Sequence, residues 1–158
     1  MKLIKTLLPI LVVLSFMPVV GAQSVPAPEF VVQTTTTGII QLSARKFEDG
    51  DYRQAAGIAL QATARGLTSG RRSAAWSNLC AARAMQGQFE AAIEACESAL
   101  NAQATWQANN NYGAVLYRAG RLADSERAFA SALQIAPDEI VIAENRAIIS
   151  SRTLAAAQ

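Results

Sequence analysis

The chain has 158 residues, 51% of them hydrophobic, with 14 basic and 12 acidic side chains and no histidine. That length suits one domain. The missing histidine excludes Ser-His and Cys-His nucleophile pairs, and two cysteines without histidine do not make a zinc set.

Residues 1–22 read as a secretory signal peptide. Lys2 and Lys5 precede an apolar run, Leu7 to Val20, and Val20-Gly21-Ala22 supplies the small residues of a cleavage site. The run is interrupted by Pro9, Ser15 and Pro18, and it falls short of the roughly 18–20 residues that span a bilayer. Cleavage is therefore favoured over a retained anchor, and no stable membrane insertion is expected afterwards. Export places the chain in the periplasm or outside the cell. Losing Lys2 and Lys5 leaves 12 basic residues against 12 acidic. A neutral chain without a basic block has no electrostatic reason to bind nucleic acid.

Residues 23–37, QSVPAPEFVVQTTTT, hold two prolines and four consecutive threonines. Both residue types disfavour helix, so an extended, mobile leader is expected. Its Glu29-Phe30-Val31-Val32 stretch is a candidate for docking on the domain or on a partner.

From Gly38 the sequence turns alanine-rich and punctuated. Gly50, Gly87 and Gly120 lie 37 and 33 residues apart. A helical pattern precedes each glycine and another follows it. The unit is helix, glycine turn, helix, over about 38–65, 73–104 and 106–137. Residues 138–158 read as a capping helix and tail, with Asp138 after Pro137 as its expected N-cap. Small residues recur where paired helices must approach: Ser43, Cys80 and Gly113, then Ala55, Ala92 and Ser125, then Ala62, Ala99 and Ala132. Large apolar residues flank them, among them Ile39, Leu42, Trp76, Leu79, Tyr112, Leu116, Phe129 and Leu133. One hairpin cannot bury its apolar face alone; stacked hairpins can.

This pattern resembles the tetratricopeptide repeat (TPR), W-x2-L-G-x2-Y, then A-x3-F, then P. The middle unit matches with Trp76, Leu79, Ala92 and Ala99-Leu100, and puts Cys80 and Cys96 in the Gly and Phe slots. The third matches with Tyr112-Gly113, Phe129, Ala132-Leu133 and Pro137. Asn109 and Arg83 depart from the pattern, and the first unit is the weakest. The fold class this implies is all-α: an antiparallel helix-hairpin solenoid of about three repeats plus a C-terminal capping helix.

Cys80 lies seven residues before Gly87 and Cys96 eight after Gln88, so a hairpin about that turn sets them face to face. In an exported chain a structural disulfide follows. Two buried reduced thiols and a redox pair are the competing readings. Redox motifs, however, place cysteines three apart beside a helix N-terminus.

No catalytic constellation is found, so the chain is read as no enzyme. Gly66 to Gly70 lacks the lysine of a phosphate loop. No cofactor, metal or small-molecule substrate is expected. What remains is a surface. The resemblance implies a concave groove lined by the first helix of each unit, holding Phe47, Asn78, Gln107, Asn110, Asn111, Tyr117 and Arg118. Asn78 and Asn111 take equivalent positions, where the family's peptide-binding members use asparagine on the ligand backbone. The competing reading is that they satisfy local packing bonds. The function this implies is a non-catalytic adaptor or scaffold gripping a segment of another envelope protein. The alternative is a structural module that self-associates into a homo-oligomer.

Overall fold

The computed structural model describes residues 26–156. The signal-peptide reading of residues 1–22 lies outside the described residues. Among the described residues seven α-helices follow one another: α1 Gly38–Glu48, α2 Tyr52–Thr63, α3 Ser69–Met85, α4 Phe89–Ala102, α5 Trp106–Arg118, α6 Leu122–Ile135 and α7 Ile140–Ala156. No strand occurs among the described residues.

The three glycine turns are alike for one backbone reason. Gly50, Gly87 and Gly120 have φ of 78°, 75° and 79°, the left-handed region that side chains resist. At each, the next residue's N–H reaches back to close the preceding helix: Asp51 to Lys46 O at 2.9 Å, Gln88 to Arg83 O at 3.0 Å, Arg121 to Leu116 O at 2.9 Å. This is the Schellman closure, which satisfies carbonyls that a helix end leaves open. Asp51 caps the next helix, its carboxylate accepting from Gln54 N–H at 3.1 Å.

Each helix packs on the one after it. In addition α3 packs on both α1 and α5, and α5 on α7, so the odd-numbered helices form a continuous layer. The core is mostly alanine. Ala59, Ala84, Ala92 and Ala95 surround Leu79, Val115 and the two cysteines, while Ala114 and Ala132 surround Phe129, Ile142 and Ile149. Short side chains let helix axes come close, and larger residues fill the gaps between layers. Cys80 and Cys96 form a disulfide across the α3–α4 hairpin, with Cα atoms 5.2 Å apart. In the next hairpin the same level holds Gly113 against Phe129: a Cβ on Gly113 would lie 2.8 Å from the Phe129 ring.

Four expectations need correcting. Residues 26–35 are extended, as expected, but they do not stand free; they lie bonded against the helices. The second hairpin begins at Ser69 rather than near residue 73, because Gly70-Arg71-Arg72 continue the helix, with Arg72 N–H bonded to Thr68 O at 2.9 Å. Asp138 does not cap α7. That helix starts at Ile140, and Ile142 N–H bonds to Glu139 O at 3.1 Å. In α1 the buried face is turned from the expected one: Ile40 is fully buried and Leu42 is 37% exposed. Ile40 faces Ala62, Ala74 and Ala75, so α3 as well as α2 determines its orientation.

Candidate functional site

Three asparagines, one from each of α3, α5 and α7, line up on the layer of odd-numbered helices: Asn78, Asn111 and Asn145. All three are buried. Each grips both main-chain polar groups of one residue in the segment that precedes α1. Asn78 Oδ1 accepts from Gln33 N–H at 2.7 Å, and its Nδ2 donates to Gln33 C=O at 2.9 Å. Asn111 does the same for Val31, at 2.7 and 2.8 Å. Asn145 does so for Glu29, at 2.8 and 3.0 Å.

The pattern has a simple geometric origin. In an extended chain every second residue turns its N–H and C=O to the same side, at about 3.3 Å rise per residue. Two residues thus cover nearly 7 Å, close to the roughly 8–10 Å between packed helix axes. One asparagine per helix can therefore meet residues 29, 31 and 33 in turn. The segment doubles back from α1, crossing α3, then α5, then α7. The amide is suited to this work because it donates and accepts at once, matching both backbone groups of one residue. Such bonds read the backbone and ignore the side chain.

A second tier holds the ladder in place. Asn145 Nδ2 also donates to Asn110 Oδ1 at 2.9 Å, and Asn110 Nδ2 to Glu29 C=O at 3.1 Å. Asn111 Nδ2 donates to Ser77 Oγ at 2.9 Å. Toward the segment's start, Tyr117 Oη donates to Pro26 C=O at 3.3 Å and Arg118 Nη2 reaches Pro28 C=O at 3.5 Å. The Arg118 guanidinium stands 5.2 Å over the Phe30 ring, and that of Arg152 4.8 Å over Tyr117. Burial pulls the Arg118 guanidinium below its ordinary pKa. Phe30 packs against both larger core clusters, and Pro28 is among the fully buried side chains. Phe47, Tyr52 and Met85 border Pro28, Phe30 and Arg118 around a hollow of about 240 Å³.

Of the groove residues expected from sequence, Asn78, Asn110, Asn111, Tyr117 and Arg118 bond the segment, and Phe47 lies beside it. Gln107 is half-buried on α5 and makes none of the segment's hydrogen bonds among the described residues. The face expected to hold a partner segment is occupied by the chain's own residues 26–33. Local packing bonds alone do not account for Asn78 and Asn111, since each spends its amide on the segment. Comparison of the chain with family models, with curated proteins and with solved structures finds no match.

The sequence marks Glu29 to Val32 as a candidate for docking on the domain, which the bonds of Glu29 and Val31 bear out, but not its place on the asparagines, and Asn145 was not expected among them. A signal for Asn145 was present. Asn78 and Asn111 are 33 residues apart, and one further step of 34 lands on Asn145.

Proposed function

We propose that this chain is an exported TPR-type hairpin solenoid acting as a non-catalytic protein-interaction module. It holds an extended polypeptide segment along its odd-numbered helices. The observation that carries this reading is the asparagine ladder: three buried amides, each paired to both backbone groups of alternate residues in one extended stretch. Polar side chains buried in a helical layer are costly unless bonded, and these are spaced for an extended chain rather than for one another. The repeated glycine closures and the alternation of small and large residues support the TPR assignment, and the disulfide suits an oxidising compartment. The partner is a segment of another envelope protein that takes the place of residues 26–33.

The test is crosslinking in intact cells with the wild-type chain and with an Asn78→Ala, Asn111→Ala, Arg118→Ala variant. Loss of crosslinked partners, with helical circular dichroism retained, is expected. An unchanged set of partners would overturn the groove as the binding surface.

A second reading, self-association, has one observation in its favour. At the C-terminal end, Ile140 and Leu154 are 72% and 67% exposed, and Leu154 borders an apolar hollow with Leu122 and Ile149. Light scattering decides it: a dimer that dissociates on Leu154→Glu supports assembly, and a monomer refutes it.

A further inference from the structure

We propose that residues 26–33 are an internal competitor, and that the groove selects partner segments with proline and, two residues later, an aromatic ring, at the positions of Pro28 and Phe30. This rests on the groove reading above and adds to it both a selectivity and a resting, self-occupied state.

The backbone ladder provides no selection, so the side-chain slots must. Residue 28 stands just before Glu29, the first of the paired positions, and no asparagine bond falls on it. A buried N–H there would need a partner, and proline has none to satisfy. Pro28 is fully buried, so its side chain occupies an enclosed slot. Position 30 is a ring slot, walled by both larger core clusters and covered by the Arg118 guanidinium at 5.2 Å. A cation over a ring face favours an aromatic over an aliphatic side chain of similar area.

The internal segment also fits imperfectly. Among the described residues, Gln33 Nε2 and Arg118 Nε are buried with no hydrogen-bond partner, while the Arg118 bond to Pro28 C=O is long at 3.5 Å. Unmade bonds of buried donors weaken an occupant. A partner with an apolar residue at the Gln33 position, keeping Pro-x-aromatic, escapes one of these penalties. The internal segment competes because it is tethered: a short connection holds it at an effective concentration of about millimolar. It therefore outlasts weak ligands and yields to better ones.

The experiment uses the intact chain and a fluorescent peptide of residues 26–36, read by anisotropy. The Val31→Pro chain removes the N–H that Asn111 accepts and so loosens the internal segment; the Phe30→Ala chain loosens it by a different route. Circular dichroism checks that each remains helical. Peptide binding to either loosened chain is expected at least about tenfold tighter than to wild type, since the tethered competitor is weakened. A Gln33→Leu peptide should bind a further tenfold or so tighter. Peptides with Phe30→Ala or Pro28→Ala should lose most of the binding. If those two peptides bind as well as the parent, the selectivity is overturned while the groove reading stands. If no peptide binds either loosened, helical chain, the groove reading itself falls and the inference with it.

Discussion

Asn145 on α7 and Asn110 on α5 are joined side chain to side chain at 2.9 Å, and both donate an Nδ2 hydrogen to the same Glu29 carbonyl, at 3.0 and 3.1 Å. The contact ties three parts of the chain that are far apart in sequence: the segment before α1, the third hairpin and the last helix. α5 and α7 also share an apolar cluster of Ala114, Tyr117, Ile142 and Ile149, so this knot adds polar bonds to the packing that positions the terminal helix.

Asn145→Ala should therefore cost about 1–3 kcal/mol of unfolding free energy, the penalty for stranding buried partners. Asn110→Ala should cost a similar amount, and the double variant less than the sum, with a coupling of about 0.5–3 kcal/mol. Urea denaturation of the four chains measures it. Additive effects would mean that the two amides do not act as one unit. Limited proteolysis adds a local readout: the segment around Glu29 should become cleavable in either single variant while the hairpins stay resistant.

Gly113→Ala should destabilise despite alanine's better helix propensity. The propensity gain is about 0.5–1 kcal/mol, whereas forcing a methyl against a well-packed ring costs about 1–3 kcal/mol. The new Cβ would sit 2.8 Å from the buried Phe129 ring, so the clash should win. Adding Phe129→Leu makes room, and Gly113→Ala should then be neutral or stabilising. A thermal denaturation series checks the reversal of sign. Destabilisation that persists in the Phe129→Leu background would argue against the contact.

Reduction of the Cys80–Cys96 bond should lower stability by about 3 kcal/mol on the chain-entropy account for a loop this short. That is a large part of the roughly 5–15 kcal/mol that holds a typical domain. The helices should persist under reductant, since the α3–α4 contact is also packed by Leu79, Ala92 and Ala95. Denaturant midpoints with and without reductant measure the loss, and a Cys80→Ala, Cys96→Ala chain, indifferent to reductant, is the control. Equal midpoints for the oxidised and reduced wild type would refute it.

Alkaline pH should loosen the seam between the second and third hairpins. Burial, and next the hydrogen bond to Glu97 at 3.1 Å, raise the Tyr112 phenol above its ordinary 10.0. A raised pKa in the folded chain means that folding favours the neutral phenol. Its contribution is complete below the unfolded value and is lost as pH climbs through the folded one. Stability should thus hold to about pH 9 and fall above about pH 10. In Tyr112→Phe that part of the fall should be absent. Denaturant midpoints across this range decide it; an identical alkaline slope in both chains would remove Tyr112 as the cause.

The helix order was legible in the sequence because its determinants are local. A glycine that must take positive φ marks each of Gly50, Gly87 and Gly120, and the helical recurrence of small and apolar side chains marks the faces on either side. The facing of Cys80 and Cys96 follows from counting outward from Gly87, since an antiparallel hairpin leaves one register. Five segment-binding residues, Asn78, Asn110, Asn111, Tyr117 and Arg118, were legible only through the resemblance, whose register assigns the groove face of the first helix in each unit. The orientation of α1 was not, because Ile40 is claimed by Ala74 and Ala75 of α3 as well as by Ala62 of α2, a choice made between hairpins and not within one.

Residues 26–35 show the division most clearly. By themselves, prolines and threonines establish only that this stretch is no helix. An extended chain makes no hydrogen bonds with itself, so its place depends on what partners lie within reach. Those partners, Asn78, Asn111 and Asn145, come from three helices that only stacking brings into line. Tertiary structure alone could decide that the segment lies in the groove, because its bonds span 45 to 116 residues of sequence and have no local signature.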